Sequence, residues 1–120
     1  MQILIVDDSK AMRLIVMRTL RQAGFDGHTL LEATNGKEAL GLIRTAPPGL
    51  VLSDWHMPEM TGMELLKALR AEGNQVKFGF VTSDGASEMR ALASEAGAAF
   101  LICKPFTADA FKAALTPFIV

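Results

Sequence analysis

Ile3-Leu4-Ile5-Val6-Asp7-Asp8-Ser9 is the stretch on which the fold turns. Four aliphatic residues in a row read as a strand covered on both faces. Two acids stop the run, and Ser9 stands where the N-cap of a following helix belongs. Met12, Ile15, Val16, Leu20 and Ala23 then recur at i, i+3, i+4, i+8 and i+11, and Gly24 closes that stripe. A buried strand, a polar turn and an amphipathic helix make one β-α unit.

The same unit returns along the chain. Further short apolar runs span His28 to Leu31, Leu50 to Leu52, Phe78 to Val81 and Phe100 to Ile102. Helical stripes follow them: Ala39, Leu40 and Ile43; Met63, Leu66 and Leu69; Met89, Leu92, Ala93 and Ala96; Phe111, Ala114, Leu115 and Phe118. Gly73 and Gly97 sit at helix ends, Thr107 at a helix start, and Asp109 at the positive end of the last helix. Pro47-Pro48 separates the second helix from the third strand, and Pro117 ends the last helix near Leu115 or Thr116. Five β-α units in alternation predict a parallel sheet with helices on both faces. There is no repeat, low-complexity tract or linker, so residues 1–120 read as one domain.

Composition narrows the function. Lys and Arg total 12 against 13 Asp and Glu, a net charge of −1, which argues against nucleic acid as the main partner. The lone cysteine, Cys103, rules out an internal disulfide and a cysteine-cluster zinc site. No apolar stretch approaches the ~20 residues of a membrane helix, and the N-terminus lacks the basic start of a secretory signal. The expectation is a cytoplasmic protein with no membrane partner.

Chemistry collects where the apolar runs end. Asp7 and Asp8 follow the first, Ser53-Asp54 the third, Thr82-Ser83 the fourth, and Lys104-Pro105 the fifth. In an open parallel α/β sheet the C-terminal strand ends form the ligand crevice, so these residues should converge. Three carboxylates together repel one another and remain ionised when a hard cation joins them; an all-oxygen set suits Mg²⁺. Lys104 adds a positive charge for a phosphoryl oxygen and Thr82 a hydroxyl donor. Cation, lysine and hydroxyl around one carboxylate form a phosphoryl-transfer arrangement, with Asp54 as nucleophile.

Val6-Asp7-Asp8-Ser9, Ser53-Asp54-Trp55-His56-Met57-Pro58, Gly62, Val81-Thr82-Ser83 and Lys104-Pro105-Phe106 together resemble the receiver domain of two-component response regulators, over the whole chain. The stretch from Ser53 to Ala71 is similar to the single-domain chemotaxis regulators of the CheY type. That resemblance implies a flavodoxin-like (βα)5 sandwich with strand order 2-1-3-4-5. It implies that Asp54 accepts phosphoryl from a sensor histidine kinase, CheA-like if the pathway is chemotaxis. Asp7, Asp8, Asp54 and the backbone carbonyl of His56 would bind Mg²⁺, some through water. Lys104 would contact phosphate, and Thr82 would report phosphorylation to the face formed by the fourth helix, fifth strand and fifth helix. The chain would act as a switch rather than an enzyme, assisting only its own phosphorylation and dephosphorylation.

Three positions depart from the family pattern. The switch aromatic expected three residues before the lysine is Leu101 here, with Phe100 one place earlier; alternation sends the two to opposite faces. Either Leu101 replaces the aromatic, or a local shift brings Phe100 in. His56 is a solvent-facing loop residue, a gate on water attack, or a ligand that would soften the metal preference. Asp84, two residues after Thr82, sits near the mouth, where its charge would repel or guide a nucleophilic water. Leu14 and Met17 fall off the stripe of the first helix and are expected at the surface, as a docking patch or as scattered apolar residues; Arg18 and Arg21 read as a solvated face. Cys103 reads as a small core residue, and Met12 and Met89 as core. Two other functions compete. One is a non-switching adaptor on the same fold, and the intact Asp7, Asp8, Asp54, Thr82 and Lys104 argue against it. The other is a phosphoester hydrolase of the haloacid-dehalogenase type. That type needs a second acid two residues after the nucleophile, where His56 follows Asp54 and Ser9 follows Asp7. A receiver domain cut from a longer regulator is a further expectation.

Overall fold

The apolar runs become five strands, β1 (Gln2–Val6), β2 (Thr29–Ala33), β3 (Leu50–Ser53), β4 (Lys77–Thr82) and β5 (Phe100–Cys103). Five helices alternate with them: α1 (Lys10–Gln22), α2 (Gly36–Thr45), α3 (Gly62–Ala71), α4 (Ser87–Glu95) and α5 (Ala108–Leu115). These bounds come from a computed structural model, which describes residues 1–119. The strands are all parallel, in the order β2-β1-β3-β4-β5, the flavodoxin-like order implied by the resemblance.

Hydrophobic alternation builds two cores, one on each face of the sheet. Leu4, Val6, Val51, Phe78 and Phe80 point toward α2, α3 and α4. Ile3, Ile5, Leu50, Leu52, Val81 and Ile102 point toward α1 and α5. Strands β1 and β3 are covered on both sides, which is why Ile3 to Val6 and Leu50 to Leu52 are apolar without interruption.

Local signals set the helix ends. Ser9, Asn35, Thr61 and Thr107 each accept a backbone N–H three residues on, and Thr61 and Glu64 close a reciprocal capping box. Gly24, Gly73 and Gly97 follow α1, α3 and α4 with positive φ. α5 ends at Leu115, ahead of Pro117.

Three surface expectations are corrected. Ile15 is 43% exposed and Met17 is buried, so the core stripe of α1 runs through Val16, Met17 and Leu20. Leu14 is exposed as expected. On α4, Leu92 is 49% exposed and only Ala93 of the expected stripe is fully buried. Leu92 lines a surface groove between α4 and α3, together with Met63, Lys67 and Ala96.

Leu101 and Phe100 lie on opposite faces of the sheet. β4 pairs Gly79 with Phe100 and Phe80 with Leu101, in regular register. Phe100 faces the α1/α5 side, its ring lying over Gly79 and tilted against Phe118 at 5.9 Å between centroids. Leu101 faces the α4 side and packs on the core that includes Ala93. No shift brings Phe100 across.

Candidate functional site

Register brings the acids together. Val6 and Ser53 are partners across β1 and β3, so Asp7 and Asp54 leave adjacent strands side by side. Asp54 N–H donates to Val6 O at 2.8 Å, and Asp7 N–H donates to Ala33 O at 3.1 Å. β1 continues into α1 on one face while β3 leads to α3 on the other, so the crevice opens between the two connections. Carboxylate oxygens of Asp7, Asp8 and Asp54 all lie within 4.8 Å of one another.

Lys104 arrives from β5. Its backbone N–H donates to Thr82 O at 2.8 Å, which continues the β4–β5 ladder one step past Cys103. Its Nζ donates to Asp7 Oδ2 at 3.1 Å and stands 3.5 Å from Asp54 Oδ2. Thr82 is fully buried, and its Oγ1 accepts from Asp84 N–H at 3.3 Å. Asp84 Oδ1 in turn accepts from Ala86 N–H at 3.5 Å, so its carboxylate is engaged with the loop. His56 is exposed on the loop after Asp54 and lies outside the acid group, which gives no support to the softer-metal reading.

Asp7 and Asp54 each turn one oxygen to the backbone and the other to Lys104. Asp7 Oδ1 accepts from Ser9 N–H at 2.9 Å, and Asp54 Oδ1 accepts from Trp55 N–H at 2.7 Å. The two Oδ2 atoms are the ones that meet Lys104. Burial pushes the Asp7 carboxyl above its ordinary 3.8; the Ser9 N–H and Lys104 pull it back only in part, and the Asp54 charge adds to the rise. Three hard oxygen donors with Asp8 at the exposed edge fit Mg²⁺, which keeps several of its waters.

The surroundings hold Asp54 tightly. Trp55 is buried and stacks on Phe80, with ring centroids 4.6 Å apart, tying the residue after Asp54 to the core. Gly62 N–H donates to Trp55 O at 2.9 Å, and a Cβ at Gly62 would fall 2.1 Å from Asp54 O. The glycine is there because α3 begins in contact with the acid's own backbone.

One buried neighbour of the site escaped the sequence reading. Arg13, on the inner side of α1, is 8% exposed; its Nη1 donates to Asp7 O at 2.7 Å and its Nε to Glu32 Oε1 at 2.9 Å. The available signal was its place in the stripe, four residues before Met17 and three before Val16, where a charged residue must find partners.

Known proteins share both this sequence pattern and this shape. The family described as response regulator receiver domain matches residues 3–116. Chemotaxis protein CheY homologues of Campylobacter jejuni strains are 39% identical over 115 residues, 93% of this chain and 87% of theirs. The solved structure of the chemotaxis response regulator CheY4 of Vibrio cholerae superposes with a TM-score of 0.84 at 30% identity, covering 98% of both chains. The receiver domain of the Francisella response regulator 1452 gives 0.85 at 26% identity, over 98% of this chain and 94% of that one.

Proposed function

Because this chain belongs to the response regulator receiver family, we propose that it is a phosphorylation-driven signalling switch, with Asp54 as phosphoacceptor and residues 1–120 forming one receiver unit. The observation that carries this reading is Lys104 Nζ standing between Asp7 and Asp54 at the end of the sheet. A phosphoryl group on Asp54 would meet that ammonium directly.

The donor is the phosphohistidine of a sensor kinase. Asp54 attacks phosphorus as a carboxylate, an O–P bond forms, and the donor's P–N bond breaks with its electron pair staying on the imidazole. Asp54 carries no proton to remove, so no general base is required. Mg²⁺ held by Asp7, Asp8, Asp54 and the His56 backbone carbonyl, in part through water, would neutralise charge gathering on the phosphoryl oxygens. Lys104 exchanges part of its contact with Asp7 for a phosphoryl oxygen, and Thr82 Oγ1 donates to another. Water later cleaves the acyl phosphate, with His56 and Asp84 at the rim setting its approach.

The output is a shifted equilibrium. New hydrogen bonds from Thr82 and Lys104, each on the order of 1–3 kcal/mol, favour one of two arrangements of the α4–β5–α5 face. Leu101 packs on the core that contains Ala93, so the coupling runs through packing rather than an aromatic hydroxyl. The CheY homologues it resembles are named for chemotaxis, which favours a cytoplasmic CheA-like kinase and a motility output here.

Acetyl phosphate labelling and beryllofluoride binding with Mg²⁺, followed by amide NMR, test the reading. Wild type should be labelled on Asp54 and show saturable shifts around Thr82, α4 and β5. Asp54→Asn should abolish both, and Lys104→Ala should still bind Mg²⁺ but lose most of the spread of shifts to α4 and β5. Shifts confined to the pocket would move the output to another face. No Asp54-dependent shift or label would sink the switch and bring the non-switching adaptor forward.

A further inference from the structure

Asp7 and Asp8 follow directly on β1, and continued extended backbone would send their side chains to opposite faces, so the two serve one cation only if the peptide between them is turned and held. That peptide's carbonyl is Asp7 O, and it is the atom that the buried Arg13 guanidinium grips at 2.7 Å. The Asp7 N–H is held by Ala33 O at 3.1 Å, and its Oδ1 by Ser9 N–H at 2.9 Å. Arg13 therefore supplies the restraint on the far side of Asp7, at the peptide that joins the two acids. Its fork is itself aimed from the next strand, by Glu32 Oε1 at 2.9 Å from Nε.

We infer that Arg13 and Glu32 are positioning residues for the cation site: Arg13 sets the angle between the Asp7 and Asp8 carboxylates by fixing the peptide that joins them, and Glu32 keeps Arg13 in register. This rests on the reading of Asp7, Asp8 and Asp54 as a Mg²⁺ site. It assigns β2, which contributes no acid to the crevice, a part in the chemistry at the end of β1. A bidentate, planar guanidinium suits the task; a lysine at the same place keeps the charge but lacks the rigid fork that bridges Asp7 O and Glu32. Groups that orient metal ligands without touching the metal are worth about 10–100-fold in metal affinity.

Geometry can be separated from charge by comparing two cations. Mg²⁺ demands near-ideal octahedral ligands, whereas Ca²⁺ accepts irregular ones. Trp55, the sole tryptophan and the neighbour of Asp54, gives the fluorescence readout. Arg13→Lys should weaken Mg²⁺ binding by about tenfold and Ca²⁺ binding distinctly less, narrowing the preference between them. Glu32→Gln should shift Mg²⁺ in the same direction by a few-fold; Glu32 is exposed, so this variant keeps its fold if Arg13→Lys does not. Urea unfolding without a cation separates the two roles, because a purely structural residue would lower the midpoint and leave the Mg²⁺ affinity of the folded protein unchanged. That result, or an equal loss for Mg²⁺ and Ca²⁺, overturns the inference while the site stands. Failure of the wild-type protein to bind Mg²⁺ overturns both.

Discussion

At Gly62 one absent carbon decides whether Asp54 can sit where it does. A Cβ there would lie 2.1 Å from Asp54 O, a backbone atom that no rotamer change can move aside. Gly62→Ala should therefore cost about 1–3 kcal/mol by overpacking and displace Asp54 from Lys104. Urea midpoints and the rate of acetyl phosphate labelling should fall together. Gly41 supplies the contrast. It lies inside α2 with nothing within 4 Å of where a Cβ would be. Gly41→Ala should raise stability by about 0.5–1 kcal/mol through helix propensity and leave the labelling rate alone. Equal labelling by both variants would show that the close approach at Gly62 does not hold the acid.

Among the helices, α4 is the one the sequence anchors least. Its N-cap is Ala86, with no side-chain cap, whereas α1, α2, α3 and α5 begin at Ser9, Asn35, Thr61 and Thr107. Only Ala93 on it is fully buried. Ala86 has extended backbone at φ −58° and ψ 149°, so a serine fits without strain. Ala86→Ser should add about 1 kcal/mol by capping and slow amide exchange in α4 more than in α3. Unchanged α4 exchange would show that the helix is held by its packing alone. The same weakness explains what could not be read ahead of the structure. Strand runs, caps and terminal glycines are local signals, so β-α alternation and the convergence of Asp7, Asp54, Thr82 and Lys104 were legible. Which side of a helix is covered depends on what lies beneath it. Leu92 matched the period of α4 yet faces solvent in a groove beside α3, and Met17 lay off the chosen stripe of α1 yet is buried in the core shared with α5. Arg13 escaped for the opposite reason: a charged residue at a core-facing position has meaning only once its partners, Asp7 O and Glu32, are known.

Across the whole molecule, the sheet carries a cost at its C-terminal end that the two cores must offset. Asp7 is 4% exposed, and burial raises its pKa above 3.8 despite Lys104 and Ser9 N–H. At pH values below 3.8 the acid is protonated in both folded and unfolded chains and contributes nothing. As pH rises from there to the raised folded value, the unfolded chain releases the proton while the folded one retains it, so stability falls across that window. Above it the loss is constant. Asp7→Asn removes this penalty. The variant's advantage over wild type in urea midpoint, measured without a divalent cation, should be absent near the ordinary carboxylate pKa, grow with pH and then level off. Saturating Mg²⁺ should reverse the order at neutral pH. A cation bound at the folded wild-type site would stabilise it by mass action, whereas a neutral amide in place of the Asp7 carboxylate is a poorer ligand. An advantage that shrinks as pH rises would mean that Lys104 and the Ser9 N–H outweigh burial, and that the acid pocket is already balanced before any cation arrives.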